Sequence, residues 1–170
     1  IIVFGSIFSV MWVKLSKIGK NPSIPLKFCF GIVQLALGFL VTKVGFQFVN
    51  ESFQVPLLTL VFLYMLHTTG ELFLSPIGLS MVTKLSPKSM AGTAMGAWFL
   101  SFAIANYVGG KIAAITGGHG GSDEAMSIGE GLNQYLDIFS TIGYVLLGIA
   151  LIIFLLNKPC LLYTSDAADD

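Results

Sequence analysis

Long apolar stretches separated by short polar connections set the pattern of this chain. Charge-free apolar runs cover Ile1 to Val13, Phe28 to Thr42, Leu57 to Val82 apart from Glu71, Met90 to Gly110, and Ile138 to Leu156. A helix needs about 20 mostly apolar residues to cross a bilayer. The last three runs meet that length directly, and the second meets it if Lys43 snorkels and the helix continues to Phe48. The first run is short and ends in Trp12 and Lys14, the aromatic and cationic signature of a membrane exit. A signal peptide carries its charge ahead of the apolar region, so Ile1 to Val13 reads as the second half of a helix. The pattern predicts an all-α integral membrane protein with four complete transmembrane helices and a truncated first one.

Composition agrees. The chain is 55% hydrophobic and 11% charged, against about 25% charged for an ordinary soluble domain. Net charge is zero, but the charges are segregated. Alternating connections across the bilayer places Lys14, Lys17, Lys20, Lys27, Lys84, Lys88 and Lys158 on one side, leaving Lys43 and Lys111 on the other. By the positive-inside rule the first side is cytoplasmic. Glu51, Asp123, Glu124, Glu130 and Asp137 fall outside. The chain is expected in the cell membrane with its lysine-rich loops in the cytoplasm.

The connection from Lys14 to Lys27 carries Asn21-Pro22 and Pro25 and reads as a loop. The stretch from Gly117 to Gln134 reads as a solvated outer connector. Its Gly117-Gly118-His119-Gly120-Gly121 lacks the ending of a phosphate-cradling loop, and His119 with Asp123 does not fix a metal geometry. Residues 1–159 form the transmembrane unit. Cys160 to Asp170 resembles the conceptual translation of a sequencing-library adapter and is set aside as non-native. Cys29 then stands alone in an apolar helix, as a packing residue rather than a disulfide or metal ligand.

Chemistry concentrates on the third run. A carboxylate at mid-membrane costs roughly 2.5 to 3.5 kcal/mol on insertion scales, so such residues face a bundle interior or an aqueous cavity. Glu71 is one. His67, Ser75 and Gly78 share its face at i−4, i+4 and i+7, and Pro76 interrupts the helix nearby. The bland alternative makes Glu71 half of a fixed ion pair and His67 a satisfied neighbour, with Ser75 bonding its own helix. On the fourth run, Gly92 and Gly96 form a small-xxx-small pair expected to admit another helix. Met95, Trp98 and Phe102 make a bulky stripe beside it, and Asn106 is polar at depth.

Gly70-Glu71-Leu72-Phe73-Leu74-Ser75-Pro76-Ile77-Gly78-Leu79-Ser80-Met81-Val82-Thr83-Lys84-Leu85-Ser86-Pro87, with Gly92-Thr93-Ala94-Met95-Gly96-Ala97-Trp98-Phe99-Leu100, closely resembles the tenth and eleventh helices of the proton-dependent oligopeptide transporters. Pro22 to Phe28 and Gly31 resemble that family's entry into its ninth helix. The resemblance implies the C-terminal part of a major facilitator superfamily fold, and proton-coupled symport of di- and tripeptides. In it, Glu71 meets the peptide's amino terminus, Ser75 and Trp98 line the cavity, and Pro76 and Met95 sit where the inner gate bends and constricts. The implied partners are peptides, protons, the bilayer and an N-terminal half, with no nucleic acid. No cofactor is implied; the energy source is the proton gradient.

Residue chemistry agrees with that implication. A peptide is a zwitterion, so its carrier needs an anion, a cation and tolerant walls. This chain has no arginine and its lysines lie at helix ends, so the cation is expected from the other half. A channel would want repeated polar rings. An enzyme would need a nucleophile beside a base, and His67 and Ser75 stand about 12 Å apart along a helix. A non-coupled facilitator and a peptide-sensing receptor of the same fold remain the alternatives.

Overall fold

The computed structural model describes residues 2–116 and 127–166, and every regular element among them is helical: α1 (Ile2–Lys17), α2 (Ile24–Phe46), α3 (Leu57–Leu85), α4 (Ala91–Thr116) and α5 (Ile128–Asp166). Helices are the expected answer for apolar segments in lipid, because each backbone group is satisfied within its own segment. Three of them, α2, α3 and α5 (over Ile128–Asn157), are long and apolar enough to cross a membrane. α4 has the length at 26 residues, but Gly92, Thr93, Gly96, Ser101 and Asn106 dilute its apolarity. Four complete spans were expected; three meet length and apolarity together.

α2 is the centre of the packing, with α3 on one side and α5 on another. Toward α3 it presents Gly31, Gly38 and Gly45 at heptad spacing. A Cβ on Gly31 would lie 3.0 Å from the Gly70 carbonyl oxygen and 2.8 Å from Leu74 Cγ, and one on Gly70 would lie 2.9 Å from the Gly31 carbonyl oxygen. The two backbones therefore cross in direct contact there. Gly38 faces the His67 ring, and Gly45 faces Thr59. Toward α5, α2 presents Cys29 and the fully buried Ala36. The Cys29 thiol donates to the Ala150 carbonyl at 3.3 Å, and a Cβ on Gly143 would lie 2.8 Å from Leu40 Cγ. In lipid, where apolar side chains gain nothing by leaving one another's solvent, such close approaches of small residues hold helices together. Ser23 ties the same pair at one end, donating to Asn157 Oδ1 at 2.6 Å.

Two boundaries differ from the sequence reading. α5 starts at Ile128, inside the stretch expected to be loop as far as Gln134, because Ser127 and Glu130 form a reciprocal cap. The Ser127 backbone N–H and hydroxyl donate to Glu130 Oε2 at 3.0 and 2.6 Å, and the Glu130 N–H donates to Ser127 Oγ at 3.3 Å. That Ser-x-x-Glu signal precedes an apolar run and marks a helix start. At its other end α5 continues through Pro159 to Asp166; the apolar Leu161-Leu162-Tyr163 is compatible with helix, and residues 167–170 lie outside the described residues. His119 and Asp123 lie outside them too.

The connection after α1 is short. Gly19 adopts φ +65°, a left-handed turn available to glycine at no steric cost, and Ser23 caps α2 by accepting from the Leu26 N–H at 3.4 Å.

Candidate functional site

Glu71 opens into a cavity of about 390 Å³ between α2, α3 and α4. α3 contributes His67, Glu71, Leu74 and Ser75, α4 contributes Trp98, Ser101 and Phe102, and α2 contributes Leu35. The i, i+4 spacing of His67, Glu71 and Ser75 is what sets all three on one wall. A larger concavity of about 560 Å³ lies along α1, and no carboxylate lines it.

The opposite wall is built by one contact. Trp98 lays its indole on Gly78: a Cβ there would lie 2.8 Å from Trp98 Cζ2. The gap that the sequence places at i+7 from Glu71 is thus filled by the tryptophan from the next helix. Phe102 stands edge-on to Trp98, ring centres 6.1 Å apart, and extends the aromatic wall. Some hydroxyls on these helices bond a carbonyl one turn back, as Thr69 does to Met65 at 2.8 Å and Ser101 to Trp98 at 2.6 Å. Ser75 makes no such bond among the described residues, which leaves its hydroxyl to the cavity.

His67 is seated between helices. Its ring lies against Gly38, where a Cβ would come within 2.6 Å of Nε2, and packs on Phe39 with ring centres 4.6 Å apart. Among the described residues its buried Nε2 has no hydrogen-bond partner. The expected satisfied neighbour is therefore well packed but only partly satisfied.

The remaining candidates lie elsewhere. Pro76 sits within an unbroken α3 and borders a separate cavity of about 350 Å³ lined by Phe8, Trp12 and Leu72. Met95 is half-buried on α4 and outside the Glu71 wall. Gly92 and Gly96, expected to seat a helix, have nothing within 4 Å of a would-be Cβ; among the described residues the close glycine contacts between helices fall on α2, α3 and α5 instead. Asn106 is exposed and donates to the Phe102 carbonyl at 2.8 Å, so it turns back on its own helix. Leu35 and Ser101 were missed by the sequence reading, because their place on the wall depends on how three helices pack.

No lysine lines the Glu71 cavity. Lys27, the buried one, belongs to the far end of α2, with its Nζ 4.3 Å above the Trp12 ring centre. The site therefore offers a carboxylate, a hydroxyl and an aromatic wall, and no cation from the described residues.

Comparison with known proteins agrees with this architecture. Residues 1–126 match the model of the POT family. The chain is 35% identical over 155 residues to dipeptide and tripeptide permease A of Serratia proteamaculans, covering 91% of this chain and 30% of that protein. It is 37% identical over the same length to the permease A of Yersinia pestis, with the same coverage of each. A crystal structure of a peptide transporter POT in complex with sulfate superposes with a TM-score of 0.73 at 31% identity, covering 93% of this chain and 29% of the other. The chain thus spans about 30% of the length of the relatives it matches. With a family match over residues 1–126 and a helical architecture shared with a solved peptide transporter, this chain belongs to the POT family.

Proposed function

We propose that this chain forms part of a secondary carrier that moves di- and tripeptides across the cell membrane in symport with protons, and that Glu71 receives the peptide's ammonium group. The observation that carries the reading is a single carboxylate, the one charged residue between Leu57 and Thr83, opening into a cavity of about 390 Å³ with an aromatic wall. That volume falls in the range of small-ligand sites, roughly 300 to 1,000 Å³. Ser75 supplies a free hydroxyl for a peptide amide, and Trp98 with Phe102 gives a wall tolerant of varied side chains. A second half of the carrier supplies the cation for the peptide carboxylate, and the proton gradient supplies the energy. The relatives' names as dipeptide and tripeptide permeases support the same substrate class.

The coupling is tested in vesicles containing a full-length carrier with this sequence. An inward proton gradient is expected to drive dipeptide accumulation above equilibrium, and a protonophore to abolish it. Equal uptake with and without the gradient would indicate a facilitator, and dipeptide binding without uptake a receptor; either result removes proton symport.

Orientation is tested separately. Ser16, Ser52 and Ser89 are all exposed in connections or at a helix end. Cysteines at Ser16 and Ser89 are expected to react only with reagents that reach the cytoplasm, and one at Ser52 with an impermeant reagent from outside. Labelling of Ser52 from the cytoplasmic side alone would invert the topology.

A further inference from the structure

We propose that Leu35 sets the size limit for the side chain on the first residue of the transported peptide. This deepens the assignment of Glu71 to the peptide's ammonium group and rests on it.

The carboxylate fixes where that side chain goes. An ammonium held at Glu71 is one bond from the α-carbon of the first residue, so the side chain borne there meets the walls next to Glu71. Among the described residues Leu35 is the only one that α2 contributes to the cavity. It lies over the bare backbone of Gly70, the residue before Glu71: a Cβ on Gly70 would lie 3.2 Å from Leu35 Cγ. The glycine thus lets a side chain from α2 reach the base of the carboxylate.

Leu35 is a limit because α2 cannot draw back. One turn before it, Gly31 meets α3, where a Cβ would lie 3.0 Å from the Gly70 carbonyl oxygen. Three residues after it, Gly38 receives the His67 ring, with Nε2 2.6 Å from a would-be Cβ. On its other side α2 is held to α5 by the Cys29 thiol, which donates to the Ala150 carbonyl at 3.3 Å, and Ala36, next to Leu35, is fully buried. Packing of this kind yields little to an added group.

The wall on α4 is held differently. Trp98 rests on Gly78, but Gly92 and Gly96 have nothing within 4 Å of a would-be Cβ, and Ser101 and Phe102 are exposed. Bulk on the first residue therefore meets a fixed wall, whereas bulk on the second, farther from Glu71, meets an adjustable one. Apolar pockets discriminate a single methylene by roughly 10- to 200-fold, so the difference is large enough to measure.

The test compares Vmax/KM for dipeptide uptake by a full-length carrier containing this sequence, in vesicles. Wild type is expected to take up Ala-Trp about tenfold better than Trp-Ala. Leu35→Ala is expected to raise Trp-Ala relative to Ala-Ala by about tenfold, and Leu35→Phe to lower Val-Ala relative to Ala-Ala by about the same factor. Neither should change the ratio of Ala-Trp to Ala-Ala. Equal uptake of Trp-Ala and Ala-Trp by the wild type overturns the proposal without any variant, so it is decided even if both substitutions prevent folding. A first-residue ratio that neither substitution moves, or that moves together with the second-residue ratio, also overturns it. Acetylated Ala-Ala taken up by the wild type as well as Ala-Ala would instead remove the ammonium assignment itself, which tells the two failures apart.

Discussion

Glu71→Gln in a full-length carrier is expected to reach the membrane in normal amount and to lose dipeptide uptake by more than tenfold. The substitution keeps the side-chain volume and one acceptor oxygen while removing the negative charge. Once a peptide fills a cavity walled by Leu35, Leu74, Trp98 and Phe102, little water is left to screen the pair of carboxylate and ammonium, and truncating one partner of such a pair is costly. Peptides acetylated at the amino terminus lack the cation. They are expected to be poor substrates for the wild type and to be affected much less by the substitution. Uptake of a free and an acetylated dipeptide, normalised to membrane expression, measures both effects. Wild-type uptake of the free dipeptide by Glu71→Gln would reduce Glu71 to a structural residue.

The largest stability effects are expected along α2. Alanine is favoured over glycine within a helix by roughly 1 kcal/mol, and overpacking a tight contact costs about 1 to 3 kcal/mol. The neighbour decides which wins. At Gly31 the obstacle includes the Gly70 carbonyl oxygen, at 3.0 Å from the new Cβ, and a backbone atom cannot rotate away. Gly31→Ala is expected to destabilise by about 1 to 2 kcal/mol, and Leu74→Ala should not rescue it. At Gly38 the nearest obstacles all belong to the His67 side chain. Gly38→Ala should be destabilising alone and largely rescued by His67→Ser, a coupling that a double-mutant cycle isolates. Thermal unfolding of the four single variants and two pairs is the measurement. Equal rescue at both positions would show that the α2–α3 backbones are not in contact at Gly31.

The contrast between Gly31 and Gly38 also explains what was legible in the sequence. Glu71, His67 and Ser75 could be put on one face because helical spacing alone decides it, and Gly78 could be read as a gap. That Trp98 fills the gap was not readable, since it requires the register of α4 against α3. The packing of α2 is written in side-chain size rather than polarity. Phe30, Leu37 and Val44 are exposed, while Gly31, Gly38 and Gly45, each the next residue along, meet α3. A hydropathy pattern sees both sets as apolar and misses the seam. The Gly92 and Gly96 pair has the same spacing logic, yet no described helix approaches it, so the motif states what a face permits and not what occupies it. The start of α5 was legible as Ser127 and Glu130 but was outweighed by the glycine-rich stretch before it. Lys27 reads as a loop-end cation; its burial, with the Trp12 ring of α1 under its ammonium, depends on the tertiary fold.

The two tryptophans of this chain stand in different surroundings, and that separates them optically. Trp98 rests on Gly78 in the wall facing Glu71, so a bound peptide would exclude water from its indole and shift its emission. Trp12 lies under the Lys27 ammonium, whose charge acts on its excited state and changes with whatever neutralises it. Replacing either one with phenylalanine leaves the other as an intrinsic reporter within this chain, so that filling of the cavity and events at the far end of α2 become two separately readable fluorescence signals.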